Sequence, residues 1–120
     1  MRISSLLILG AAVTLAAAAG LVDRVPVSAA QFCNPFANSE SARRAGAKLF
    51  ARECAACHGR HRQGIGKAPP LDQPAVRDAP AGMLFWILRN GSLRRGMPSF
   101  AHLPEAQRWQ IVTYLKNPAP

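Results

Sequence analysis

The sequence is poor in acidic residues. It holds 6 Asp and Glu against 15 Lys and Arg, which gives a formal net charge of +9. Residues 1–30 carry two of the Arg and one of the Asp, so their removal would leave +8. A surface this basic attracts acidic partners. It does not indicate nucleic acid, because the basic residues from Arg43 to Lys116 are spread along the chain without an aromatic-and-basic binding motif.

Other features are missing as well. The 120 residues are enough for one domain and too few for two, and they show neither a strand pattern nor an internal repeat. We find no serine, histidine and carboxylate set, no carboxylate pair and no phosphate loop, so these kinds of catalysis are not indicated. A domain of about 90 residues buries only a modest core, which a large apolar cofactor could complete.

The N-terminus has the pattern of an export segment. Arg2 is followed by the uncharged run Ile3–Val22 and then by small residues. Ser28-Ala29-Ala30 offers a small-x-small cleavage site before residue 31, and Ala17-Ala18-Ala19 offers an earlier one. About 20 apolar residues can also span a bilayer. Residues 1–30 are therefore interpreted as a signal peptide or an N-terminal membrane anchor, with the rest of the chain in the periplasm or on the outer face of the membrane.

Helical periodicity organises the remainder. Residues 31–39 are expected to be an irregular lead-in, since Pro35 would break a helix. Residues 40–120 form the predicted domain, which is all-α, with three to four helices, long loops and no sheet. Its predicted elements are a helix capped by Ser39 or Asn38 that runs into Cys54–His58, a loop over 59–72, a helix capped by Asp78 that continues through Leu88, a loop over 92–102, and a helix from Pro104 to Leu115.

The segment Cys54-Ala55-Ala56-Cys57-His58 has the spacing of a c-type haem attachment site. Two cysteines three apart on a helical turn can each form a thioether with a haem vinyl group, and the adjacent histidine then faces the iron. A redox dithiol is disfavoured by the export segment and by the missing strand pattern. Zinc would need His61 as a fourth ligand, although structural zinc sites usually place their second ligand pair well away from the first.

Three further segments are similar to the class I (monohaem) c-type cytochrome family, over about residues 40–116. Gly46 and Phe50 lie four apart on the first predicted helix and Tyr114 lies on the last, as in family members whose terminal helices pack together. Pro69-Pro70-Leu71 follows a glycine-containing loop. Gly96-Met97-Pro98-Ser99-Phe100 resembles the distal-ligand segment, with its methionine 39 residues past His58.

This resemblance implies a small cytochrome c-like domain wrapped round one haem c. Cys54 and Cys57 would hold the haem covalently, and His58 and Met97 would be the two iron ligands. The backbone carbonyl of Pro69 would fix the orientation of the histidine.

Other residues compete for the distal position. Met83 is expected to pack inside its helix, and His61 lies on the same side of the haem as His58. His102 is near enough to Met97 in the sequence to remain an alternative ligand. Met97 itself can also be read as core filling, because methionine packs well in irregular gaps.

With both axial positions filled, the iron has no open site, so the resemblance implies an electron-transfer protein and not an enzyme. We expect an exported carrier of single electrons between redox proteins with acidic docking surfaces. The alternatives are an electron-transfer subunit of a dehydrogenase or oxidase complex, and a haem enzyme or gas sensor with a labile distal ligand. Membrane association through residues 3–22 is possible. Arg94 and Arg95 are either solvated or beside the haem crevice, and Cys33 has no assigned role.

Overall fold

The computed structural model describes residues 25–118, which form α-helices and 3₁₀ helices without a β-strand. This confirms the all-α prediction. Residues 25–118 contain five α-helices, more than the three to four expected, because α2 and α3 are short separate elements. The elements are a 3₁₀ helix at Val27–Gln31, α1 at Glu40–Glu53, α2 at Ala55–His58, α3 at Pro74–Asp78, α4 at Ala81–Asn90, a 3₁₀ helix at Leu93–Arg95 and α5 at Glu105–Lys116.

Helix α1 begins where the sequence predicts. The Oγ atom of Ser39 accepts a hydrogen bond from the backbone N–H of Ala42 at 3.1 Å, which satisfies a donor of the first turn. Glu40 stands at the positive end of the helix dipole and pairs with Arg43 at 2.6 Å. The helix does not continue into the motif as expected, because it is interrupted at Cys54, where φ is −117°.

Helices α1 and α5 cross at Gly46. A Cβ atom at this position would overlap the carbonyl oxygen of Gln110 and would come within 2.9 Å of the Cβ atom of Tyr114. One turn further along α1, Phe50 packs against the Tyr114 ring with centroids 5.5 Å apart. The absent side chain of Gly46 thus allows the two helices to approach, and the aromatic pair fills the space beside the crossing.

Asp78 does not cap the helix that follows it, contrary to the prediction. It is the last residue of α3, and α4 begins at Ala81 after Pro80. A residue before proline is disfavoured in the helical region, and Ala79 is accordingly extended, with φ −59° and ψ 142°. Ala79 therefore separates two helices where the sequence pattern suggested one.

The core lies between α1, α4 and α5. Ile111 and Val112 of α5 are completely buried. Phe85 of α4 stacks on Trp109 of α5 with ring centroids 3.9 Å apart and planes 16° from parallel. The other buried members of this cluster are Leu49, Phe50, Cys54, Val76, Leu88, Phe100, Leu103 and Leu115. Because Cys54 is among them, the attachment motif starts at the edge of the core.

The segment before α1 is fastened to α5 by side chains. Asn34 donates from Nδ2 to Oγ1 of Thr113 at 2.9 Å, and its own Oδ1 accepts from the N–H of Phe36 at 2.9 Å. Thr113 is 2% exposed. None of the helices in residues 25–118 is long and apolar enough to cross a membrane, and the run at 3–22 lies outside the described residues.

Candidate haem-binding site

The attachment motif folds as a single turn after α1. The backbone N–H groups of Cys57 and His58 both donate to the carbonyl oxygen of Cys54, at 3.2 and 2.9 Å. The two cysteines differ in environment, since Cys54 is 7% exposed and Cys57 is open to solvent. They form no disulfide. Two thiols are therefore held on one turn, one at the core and one at the surface.

The thiol of Cys54 is a poor nucleophile in this setting. Burial raises its pKa to about 12, with smaller contributions from the carboxylate of Glu53 and from Cys57. Reactive dithiols need a lowered pKa, since the thiolate is the reacting species. The local electrostatics therefore do not fit the redox-dithiol interpretation.

His58 is oriented by a backbone acceptor. Its Nδ1 atom lies 2.9 Å from the carbonyl oxygen of Pro69. A carbonyl can only accept, so Nδ1 is the donor in this contact, and the neutral imidazole then has its lone pair on Nε2. A metal-binding histidine typically has this arrangement, because the hydrogen bond fixes both the tautomer and the direction of the ring.

The loop that carries Pro69 is tied back to the motif and to α5. The N–H of Gly64 donates to the carbonyl of His58 at 2.7 Å, and the N–H of Leu71 donates to the carbonyl of Arg62 at 2.7 Å. The guanidinium of Arg62 lies over the Tyr114 ring, 5.1 Å from its centroid. This loop thus has fixed geometry despite its lack of regular secondary structure, and it delivers the Pro69 carbonyl to the histidine.

Met97 lies in a tight backbone hairpin. Ser92 and Met97 exchange two hydrogen bonds, at 2.9 and 3.1 Å, around the short 3₁₀ helix at Leu93–Arg95. Gly91 directly precedes the hairpin and Gly96 lies within it, with φ of 70° and 83°, in the region that favours glycine. The Met97 side chain is partly buried against the core cluster.

The distal segment is also bonded to the end of α4. The N–H of Phe100 donates to the carbonyl of Leu88 at 2.8 Å, and the hydroxyl of Ser99 donates to the carbonyl of Arg89 at 2.6 Å. Phe100 is 9% exposed. These contacts show that the chain itself positions the segment that carries Met97.

The competing ligand candidates differ in burial. Met83 is partly buried on α4, whereas His61 and His102 are exposed. The ring of His102 lies beside Phe100 with centroids 5.9 Å apart. Among the described residues no three His, Cys, Asp or Glu side chains form a group that could hold a metal ion, so the four residues considered for zinc do not come together.

Arg108 is a residue that the sequence pattern did not reveal. Although charged, it is 8% exposed. Its Nη1 atom donates to the carbonyl oxygen of Ala101 at 3.3 Å, and its guanidinium lies over the Phe85 ring, 5.1 Å from the centroid. It therefore joins α5 to the segment that follows Met97. A charged residue on an amphipathic helix is normally read as solvated, so no local signal distinguishes this one.

Comparison with known proteins identifies the family. The family model described as cytochrome c oxidase, cbb3-type, subunit III matches residues 41–115. The chain belongs to this family. Twelve chains of known structure match it. No curated protein does.

One of these structures is cytochrome CL from the marine methylotrophic bacterium Methylophaga aminisulfidivorans MPT. The two proteins share 25% sequence identity with a TM-score of 0.58, and the alignment covers 68% of this chain. This chain spans 55% of the length of that cytochrome. Family and fold together show a class I c-type cytochrome domain, which implies haem c as the cofactor and electron transfer, not enzymatic catalysis, as the role of the domain.

The residues of this region fit such a cofactor. The c-type cytochromes hold haem by two cysteine thiols, a histidine imidazole and a methionine thioether. This region offers two free thiols on one turn, an imidazole with an available Nε2 and a thioether at the edge of the core. Leu71 and Leu84 are partly buried and pack against the same core cluster as Met97. Leu93, Arg94 and Arg95 are exposed on the short helix before Met97. The ring of Trp109 stacks on Phe85 in the core.

Proposed function

We propose that this protein is an exported monohaem cytochrome c that carries single electrons between redox proteins by outer-sphere transfer. One haem would be bound through thioethers to Cys54 and Cys57, with His58 and Met97 as the axial ligands. The observation that carries this proposal is the contact between His58 and Pro69, because it prepares Nε2 of the histidine that directly follows the two cysteines.

The cofactor supplies a one-electron change between ferric and ferrous iron, and the protein supplies position and tuning. Pro69 holds His58 in one tautomer and one orientation. The hairpin between Ser92 and Met97 presents a soft thioether, which favours the ferrous state and raises the potential. Leu71 and Leu84, which pack against the core cluster, would keep water from the bound haem and so act in the same direction.

The docking surface follows from exposure and charge. Leu93 is 77% exposed and precedes the two exposed arginines, Arg94 and Arg95, at the entrance to the distal segment. We infer that these residues meet an acidic surface of the redox partner. Residues 1–30 would direct the protein to the periplasm or to the outer face of the cytoplasmic membrane, where residues 3–22 would supply any membrane association.

A second candidate is an electron-transfer subunit of an oxidase or dehydrogenase complex. The description of the matching family, a subunit of a cbb3-type oxidase, favours considering it. Gel filtration of native extract separates the two possibilities, since a carrier elutes as a small monomer, 12.9 kDa before any processing, and a subunit elutes with its complex.

Intact mass after acid–acetone treatment tests the cofactor proposal. The expected result is the polypeptide plus one haem, because thioethers survive this treatment whereas non-covalent haem is extracted. The double variant Cys54→Ala, Cys57→Ala should lose covalent haem and most of its folded protein, since cofactor binding is coupled to folding. Recovery of the bare polypeptide mass from the wild-type protein would overturn the proposal.

A further inference from the structure

The first described residues form part of the packed structure. Ala29, in the 3₁₀ helix at Val27–Gln31, is 1% exposed, and Val25 is 8% exposed. The short helix is closed by hydrogen bonds from the N–H of Ala29 to the carbonyl of Pro26 at 2.9 Å and from the N–H of Phe32 to the carbonyl of Ala29 at 3.2 Å. These residues lie inside the stretch that the sequence pattern assigns to an export segment.

Helix α4 is shaped to receive this segment. A Cβ atom on Gly82 would overlap the carbonyl oxygen of Ala29 and would come within 2.8 Å of the carbonyl oxygen of Phe32. Gly82 is buried in the first turn of α4. Glycine within a helix lowers stability relative to alanine, so a glycine here needs a packing reason. The close approach of residues 29–32 supplies that reason.

The burial pattern is one-sided, as expected for a docked element. Val27 is 87% exposed and Ala30 is also exposed, whereas Ala29 between them is covered by α4. A helix turn with one face on the core is typical of a folded domain. A cleaved leader is discarded before the exported domain is complete, so nothing would select a matching surface for it on α4.

We propose that Val25–Phe32 stays in the mature protein as part of its fold, and that any cleavage of the export segment falls before Val25 and not after Ala30. The earlier small-residue site at Ala17-Ala18-Ala19 satisfies this, and so does an uncleaved anchor. The proposal builds on the export proposed above. Cell fractionation tests export by itself, so a failure of export is distinguishable from a wrong boundary.

Intact mass of the holoprotein purified from its native host decides the boundary. An N-terminus at Val25 or earlier is the expected result. An N-terminus anywhere from residue 26 onwards, including Gln31, would overturn the proposal.

Two neighbouring variants give opposite outcomes for the two boundaries. Cleavage after Ala30 requires small residues at 28 and 30 and tolerates change at 29. If that cleavage occurred, Ala29→Glu would leave the mature mass and melting temperature unchanged, and Ala30→Glu would block processing. Our proposal predicts the opposite: Ala29→Glu should change the mature mass and the melting temperature, and Ala30→Glu should not block processing. Ala29→Glu should lower the melting temperature of the holoprotein by about 10 °C or more, since it forces a charge against α4.

Ala30→Glu is the matched control, because its side chain points away from the domain. It should change the melting temperature by less than about 2 °C and shift the mature mass only by the substitution itself. If Ala29→Glu yields no folded protein, the mature mass of the wild-type holoprotein decides the boundary by itself. A mature Ala29→Glu protein with the wild-type mass would contradict it.

Discussion

Nη1 of Arg108 lies 3.3 Å from the carbonyl oxygen of Ala101, four residues beyond Met97. This contact links the last helix to the segment that carries Met97, the proposed distal ligand. The arginine is 8% exposed, so this part-buried hydrogen bond is less screened by water and salt than a surface contact. Arg108 is therefore a positioning residue for the segment that carries Met97.

Replacing Arg108 with methionine keeps the apolar bulk and removes the donor. We expect the distal segment to loosen, because a buried hydrogen bond to a charged group contributes about 1.5–3 kcal/mol. In the ferric protein the near-infrared band of methionine–iron ligation should disappear at a lower temperature than the far-ultraviolet helical signal. Arg89→Met removes an exposed arginine of α4 and should leave both transitions at their wild-type temperatures. If the two transitions of Arg108→Met coincide and stay at their wild-type temperatures, Arg108 does not position the Met97 segment.

Gly46→Ala tests the crossing of α1 and α5. The added methyl group would overlap the carbonyl oxygen of Gln110, so the helices must separate. Such overpacking typically costs about 1–3 kcal/mol, which exceeds the gain in helix propensity of about 1 kcal/mol. Denaturant unfolding should therefore show net destabilisation. Lys48→Ala, at an exposed position of the same helix, should change stability by less than about 0.5 kcal/mol, and a Gly46→Ala protein as stable as wild type would contradict this account of the crossing.

The sequence predicts most of the helical framework because the signals are local. Ser39 shows its capping oxygen, and the apolar spacing on α1 and α5 marks their buried faces. The predicted start of a helix at Asp78 was wrong for a physical reason. Asp78 is a good capping residue, but Ala79 precedes Pro80 and is therefore disfavoured in the helical conformation. Ala79 before Pro80 adopted the extended conformation, and Asp78 became the end of α3.

The candidate site divides in the same way. The attachment motif and the segment around Met97 could be proposed from the sequence alone, because the spacing of their residues is itself the signal. The long-range contacts of Arg108 and Gly82 could not be predicted from the sequence, because each residue contacts an element far away along the chain. Gly82 looks like an ordinary helix start until Ala29 is placed against it.

Electrostatic steering should depend on where the charge lies. Association with an acidic redox partner should slow as salt rises, because the Debye length falls from about 10 Å at 0.1 M to about 3 Å at 1 M. Arg94→Glu with Arg95→Glu should slow it further, since both side chains are exposed beside Met97. Arg44→Glu with Lys48→Glu on α1 makes the same change in net charge and is the control. Equal effects of the two double variants in stopped-flow kinetics would mean that net charge alone matters.

The sharpest test of the axial ligand compares the two internal methionines. Met97→Ala should abolish the near-infrared band, lower the potential as the soft ligand is lost, and allow carbon monoxide to bind the reduced protein. It should leave the covalent haem in place, because Cys54 and Cys57 are untouched. The hydrogen bonds from Ser99 and Phe100 to the end of α4 should hold the segment near its place, so the variant should remain folded.

Met83→Leu is the matched control for that variant. Met83 is partly buried on α4, and a near volume-conserving change there should cost less than about 1.5 kcal/mol and leave the band, the potential and the carbon monoxide response unchanged. If Met83→Leu loses the band and Met97→Ala keeps it, the assignment must be exchanged. If the wild-type ferric protein never shows the band, the distal ligand is not a methionine, and His102 becomes the first candidate. That outcome would require His102 to turn inward from its exposed position beside Phe100, and His102→Ala would then open the iron to carbon monoxide.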